Sequence, residues 1–78
     1  MLTYALLQEN ENELLYEYFP EGGDASGIVA YNKKSGICDI RKLSDADKHQ
    51  RYALKLFKRI REFASGGSFK NEGIIAWG

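Results

Sequence analysis

From Glu13 to Phe19 the side chains sort into two sets two residues apart, Leu14, Tyr16 and Tyr18 against Leu15, Glu17 and Phe19. That period of two marks a strand. Residues 2–9 precede it across Asn10-Glu11-Asn12, a polar break suited to closing a β-hairpin. The first arm alternates less cleanly and holds one β-branched residue, Thr3, so a helix with Tyr4, Leu7, Glu11, Leu14, Leu15 and Tyr18 on one side competes with the hairpin. Asparagines weaken a helix interior and tyrosines favour strands, which makes the hairpin the expectation.

Pro20 to Gly27 is a loop rich in Gly and acidic residues, and Ile28 to Lys33 predicts a third strand. Lys34-Ser35-Gly36 turns the chain into a fourth, Ile37 to Lys42. Connections this short force antiparallel pairing, because a parallel return needs a crossover of about a dozen residues.

The period then changes. Ala46, His49, Gln50, Ala53, Leu56, Phe57, Ile60, Phe63 and Ala64 recur at steps of three and four, predicting one buried helical stripe between Ser44 and Gly67. Ser44 is placed to cap it, with Asp45 and Asp47 at the positive end of its dipole. Ser65-Gly66-Gly67 ends it. At roughly 1.5 Å per residue, residues 45–65 would span about 31 Å, against about 23 Å for a seven-residue strand. Such a helix crosses the whole sheet and covers one face. Ile74-Ile75-Ala76-Trp77 is too apolar for a free tail and predicts a fifth strand, or a segment packed along the helix. The expected fold is α+β, a four- to five-stranded antiparallel β-meander with one long α-helix across one face, in a single domain spanning residues 1–78.

One helix covers one face, yet the strands are apolar on both. A sheet of that kind needs a second cover, which a second copy of the chain or another protein could supply. The candidate contact residues are Tyr16 and Tyr18, or Phe19 in the other register, together with Trp77. Tyr and Trp dominate interface energies where they are exposed.

Composition narrows the function classes. Seventy-eight residues allow one domain with a small core, rich in rings: 4 Phe, 5 Tyr and 1 Trp. The single cysteine, Cys38, cannot form an internal disulfide, and no apolar run is long enough to span a bilayer. With no basic-then-apolar leader pattern at Met1-Leu2-Thr3-Tyr4, a cytoplasmic protein is expected. The net charge of zero hides an asymmetry. Residues 1–32 hold six acidic and no basic residues, whereas residues 33–78 hold all 11 basic residues and five acidic ones. Either the acidic strands attract a basic helix within the fold, or the asymmetry marks an interaction pole.

Candidate chemistry is sparse. His49 stands in the predicted helix without a partner nucleophile, and Cys38 lies in a strand with nothing to lower its pKa. One Cys and one His do not make a zinc site. Gly22-Gly23 and Gly66-Gly67 lack the lysine and the following helix of a phosphate loop. No enzyme, metal, cofactor or small-molecule substrate is expected. Lys48, Arg51, Lys55, Lys58 and Arg59 form a basic helix face that could meet nucleic acid, with Lys33, Lys34, Arg41 and Lys42 at the neighbouring strand ends.

Four pieces, Glu9 to Asn12, Tyr16 to Gly22, Arg59 to Phe63 and Glu72 to Trp77, resemble a family of small proteins of unknown function from clostridial Firmicutes and their prophages. The resemblance implies a bacterial, intracellular, standalone domain and assigns no catalytic or binding residue. The expected role is a non-enzymatic interaction or accessory module, a homodimer or the companion of a protein partner. The alternatives are a nucleic-acid accessory protein using the basic helix, or a phage-type inhibitor of a nucleic-acid enzyme presenting the acidic hairpin.

Overall fold

Asn10 closes the first hairpin with its own side chain, its Oδ1 accepting the N–H groups of Asn12 and Glu13 at 2.8 and 2.9 Å. In the computed structural model, which describes residues 1–77, this turn joins β1 (Leu2–Glu9) to β2 (Glu13–Pro20). The competing helix does not form. β1 alternates poorly because it bulges: Leu6 pairs with Tyr16 and Gln8 with Leu15, leaving Leu7 as the extra residue.

β3 (Gly27–Asn32) and β4 (Cys38–Lys42) extend the meander, and Asn32 Oδ1 accepts the Lys34 and Ser35 amides at the turn between them. β5 (Glu72–Ile75) returns to pair antiparallel with β1, so the sheet order is β4-β3-β2-β1-β5. Both expectations for the C-terminal segment hold, since Trp77 beyond β5 packs against Tyr52 of the helix at 5.4 Å.

The helix α1 runs from Arg51 to Gly66, shorter at its start than the periodicity predicts. Ser44 does not cap it. Its hydroxyl donates to the Ala25 carbonyl at 2.6 Å and accepts the Ala46 amide, holding a tight turn. Gln50 takes a left-handed conformation, φ 60°, and interrupts any helix before Arg51. Ala46, His49 and Gln50 are therefore exposed, not on the buried stripe. The cap is Asp47, reaching forward to accept the Tyr52 and Ala53 amides at 3.1 and 3.0 Å. The C-terminus follows expectation: Gly67 adopts φ 76° and its amide reaches the Ala64 carbonyl, while the Ser68 amide reaches that of Phe63.

Ala53, Leu56, Phe57, Ile60 and Phe63 bury one side of α1 against Leu2, Tyr4, Leu14, Tyr16, Tyr18, Val29 and Tyr31. Each large apolar side chain there contributes about 1.5–3 kcal/mol. Tyr4, Tyr16 and Phe63 form a ring cluster, with Tyr4 edge-on to Tyr16 at 5.8 Å. The Tyr16 hydroxyl donates to the Lys70 carbonyl at 2.8 Å and fastens the stretch leading into β5. Tyr18 works at the other end of the helix. Its hydroxyl accepts the Ser44 amide at 3.2 Å and donates to Asp47 Oδ2 at 3.1 Å, binding sheet, turn and helix start to one oxygen. Among the described residues every buried side-chain nitrogen and oxygen has a partner.

Candidate interaction surfaces

Two surfaces stand out, on opposite sides of the molecule. The first is the sheet face that α1 leaves open. Because side chains alternate along a strand, burying Leu14, Tyr16 and Tyr18 turns Glu13, Leu15, Glu17 and Phe19 outward. Tyr16 and Tyr18, each 0% exposed, are core residues and not contact residues. β2 adopts the register that puts Phe19 on the open face. Register across the strands sets Phe19 beside Thr3, Thr3 beside Ile74, and Leu15 beside Ala30. Ile74 is 61% exposed, and among the described residues no helix or strand crosses this face. Leu15, Phe19 and Ile28 are shielded only partly, by their neighbours on the same surface.

Charge rims the open face. Arg41, on the β4 edge, bonds Glu13 at 2.7 Å and Asp39 at 3.0 Å, and the Glu13 contact with its charge raises the guanidinium pKa. Glu72 stands on the opposite edge strand and Glu17 near the centre.

The second surface is a groove of about 620 Å³ along the start of the helix, lined in part by Lys48, His49, Arg51, Tyr52, Lys55 and Trp77. A smaller groove of about 240 Å³ continues past Trp77 toward Lys58, Arg59 and Glu62. Trp77, 40% exposed, forms the wall between them, and the Lys55 amine lies 5.3 Å from its ring centre. The fold thus brings Trp77 beside all five basic helix-face candidates.

The charge asymmetry divides differently from either reading of the sequence. Lys33 pairs with Glu9 at 2.9 Å and Arg41 with Glu13, so acidic strand residues are matched by basic residues of the sheet side. Among the described residues Lys48, Arg51, Lys55 and Lys58 make no ion pair, and Arg59 meets only Glu62. Glu21, near the groove, is occupied by the Met1 amine at 2.7 Å and by the Tyr52 hydroxyl at 2.8 Å, contacts that lower its pKa. Four of the five basic helix-face residues are thus left without an ion pair among the described residues.

His49 is exposed on a turn. Cys38 is half-buried, and its thiol pKa is raised by burial, against the lowering influence of Arg61. Among the described residues no group of three or more metal-ligating side chains comes together, and no helix is long and apolar enough to cross a membrane. Comparison with protein-family models, curated proteins and solved structures gives no match.

Proposed function

We propose that this chain is a small non-enzymatic interaction module that docks through its open sheet face, with a second copy of itself as the occupant. The observation that carries the reading is that Phe19, Leu15, Ile28 and Ile74 point away from the helix, with no layer of the described residues over them. A second copy fits because, among the described residues, Lys42 on one edge of the face and Glu72 on the other have no ion-pair partner of their own. A two-fold axis parallel to the strands lays β5 of one protomer over β4 of its partner, so that Glu72 approaches Lys42 and Ala5 approaches Ile28. Glu17 falls near that axis and meets its own copy, a like-charge contact that weakens the pair.

Area is sufficient for such a pair. The two longer Cα extents, 30 and 23 Å, correspond to a face of roughly 700 Å² per copy, near the ~800 Å² per partner of a standard interface. An inhibitor presenting the acidic hairpin has less support, because Glu9 and Glu13 are already paired within the chain.

Sedimentation equilibrium across a concentration series tests the reading. Concentration-dependent dimerisation is expected, abolished by Ile74→Lys without loss of monomer stability and strengthened by Glu17→Gln. A monomer at every concentration overturns it.

A further inference from the structure

The groove beside Trp77 combines three properties that the open sheet face lacks: an exposed indole, a second ring against it, and a row of cations of which, among the described residues, only Arg59 has an acidic partner, Glu62. We infer that this groove binds single-stranded nucleic acid, an unpaired base lying against Trp77 and Tyr52 while Arg51, Lys55, Lys58 and Lys48 take the adjoining phosphates. The site is on the helix side of the molecule and does not depend on dimerisation through the sheet.

Spacing supports a strand as the ligand. Arg51, Lys55 and Arg59 succeed one another at four-residue intervals, about 6 Å apart along the axis, a stride that suits consecutive phosphates of an extended single strand. The two grooves prolong the same row on either side of Trp77. A charged track with an aromatic platform in its course is how sequence-tolerant single-strand binding is built. A duplex hides the faces of its bases and leaves the indole unused. Lys55 lies over the Trp77 ring in the free protein. An exposed cation–π contact is weak, so the amine can leave the ring for a phosphate as a base arrives. Of the bordering carboxyl groups, Glu21 is held by Met1 and Tyr52 and Glu62 by Arg59, while Asp47, in the groove wall, is buried and accepts from the Tyr18 hydroxyl and the Tyr52 and Ala53 amides.

Trp77 is the chain's one tryptophan, so its fluorescence reports the site directly. Titration with oligothymidylate and oligouridylate of about ten nucleotides should quench it saturably. With about four phosphates neutralised, affinity should fall roughly 50-fold between about 50 and 200 mM salt. Arg51→Glu combined with Lys55→Glu should weaken binding at least tenfold. Trp77→Ala, followed by anisotropy of a labelled oligonucleotide, should do the same, and Trp77→Phe should retain much of the affinity. Circular dichroism establishes that each variant is folded. No saturable quenching at about 50 mM salt overturns the inference. Equal binding of heparin or of a duplex of the same length overturns it too, by reducing the groove to a plain polyanion patch. So does a shift of Trp77 emission by vesicles containing about one-third phosphatidylserine when oligonucleotides have no effect.

Discussion

The ring of Tyr18 lies across the backbone of Gly27, its cross-strand partner, so closely that a Cβ at Gly27 would fall 2.6 Å from Tyr18 Cζ and 2.7 Å from the Lys42 carbonyl oxygen. Tyr4 has the same relation to Gly73, whose Cβ would meet the Tyr4 hydroxyl at 2.5 Å. A glycine opposite a tyrosine lets the ring fold over the neighbouring strand and remain under the helix. The two positions differ in what must move. At Gly27 the obstacle includes backbone, whereas at Gly73 it is the ring of Tyr4 beside a four-residue edge strand. Gly27→Ala should therefore cost about 2–3 kcal/mol and Gly73→Ala about 1 kcal/mol. Urea denaturation of the two variants checks the order, and equal losses would refute it.

Displacing Tyr18 also disturbs Asp47, which is 2% exposed and accepts from the Tyr52 and Ala53 amides and the Tyr18 hydroxyl. Asp47→Ala leaves three donors without that acceptor and should cost about 3 kcal/mol, with fraying of the first helical turn. Asp47→Asn keeps one acceptor oxygen and should cost about half as much. Thermal unfolding and amide exchange at Tyr52 and Ala53 provide the measurement. An alanine variant as stable as the parent would show that water replaces the carboxyl group.

Stability should fall steeply in alkali. Burial raises the Tyr16 hydroxyl to about 12, with Tyr4 and Glu9 adding to the effect. Burial likewise raises Tyr18 to about 12; the Ser44 amide opposes the rise and the bond to Asp47 adds to it. In the unfolded chain both titrate near 10. The folded state thus holds two protons that the unfolded state releases, and the stabilisation is complete below about pH 10 and lost as pH rises toward 12. Each tyrosine contributes roughly 2–3 kcal/mol to that loss. Urea midpoints from about pH 9 upward should show it, and Tyr16→Phe should remove about half of the slope. A flat profile would contradict it.

Much of the architecture was legible because local chemistry and tertiary demand agree. Asn10-Glu11-Asn12 has the side chains its turn uses, and Ile74-Ile75 sends one side chain into the core and one outward along a strand. The register of β2 was not legible. Leu15 and Phe19 are as apolar as Leu14 and Tyr18, so a period of two cannot choose the face; the choice comes from the tyrosine hydroxyls, which find Lys70 and Asp47 only on the helix side. The helix start was misread for a related reason. Ser44 and Asp47 have capping chemistry, but the Ser44 hydroxyl answers to Ala25, nineteen residues earlier, and Gln50 turns left-handed. Trp77 and the basic row are too far apart in sequence for any motif to join them. Their meeting depends on β5 returning to β1.

That return has a bearing on how the molecule is made. Leu2 pairs with Ile75, 73 residues later, so one flank of β1 must wait with bare amides and carbonyls until the intervening strands and the helix have been synthesised. During that interval an extended segment from any neighbouring polypeptide can take the vacant place, and crowded expression at high temperature should favour such mispairing over the native closure.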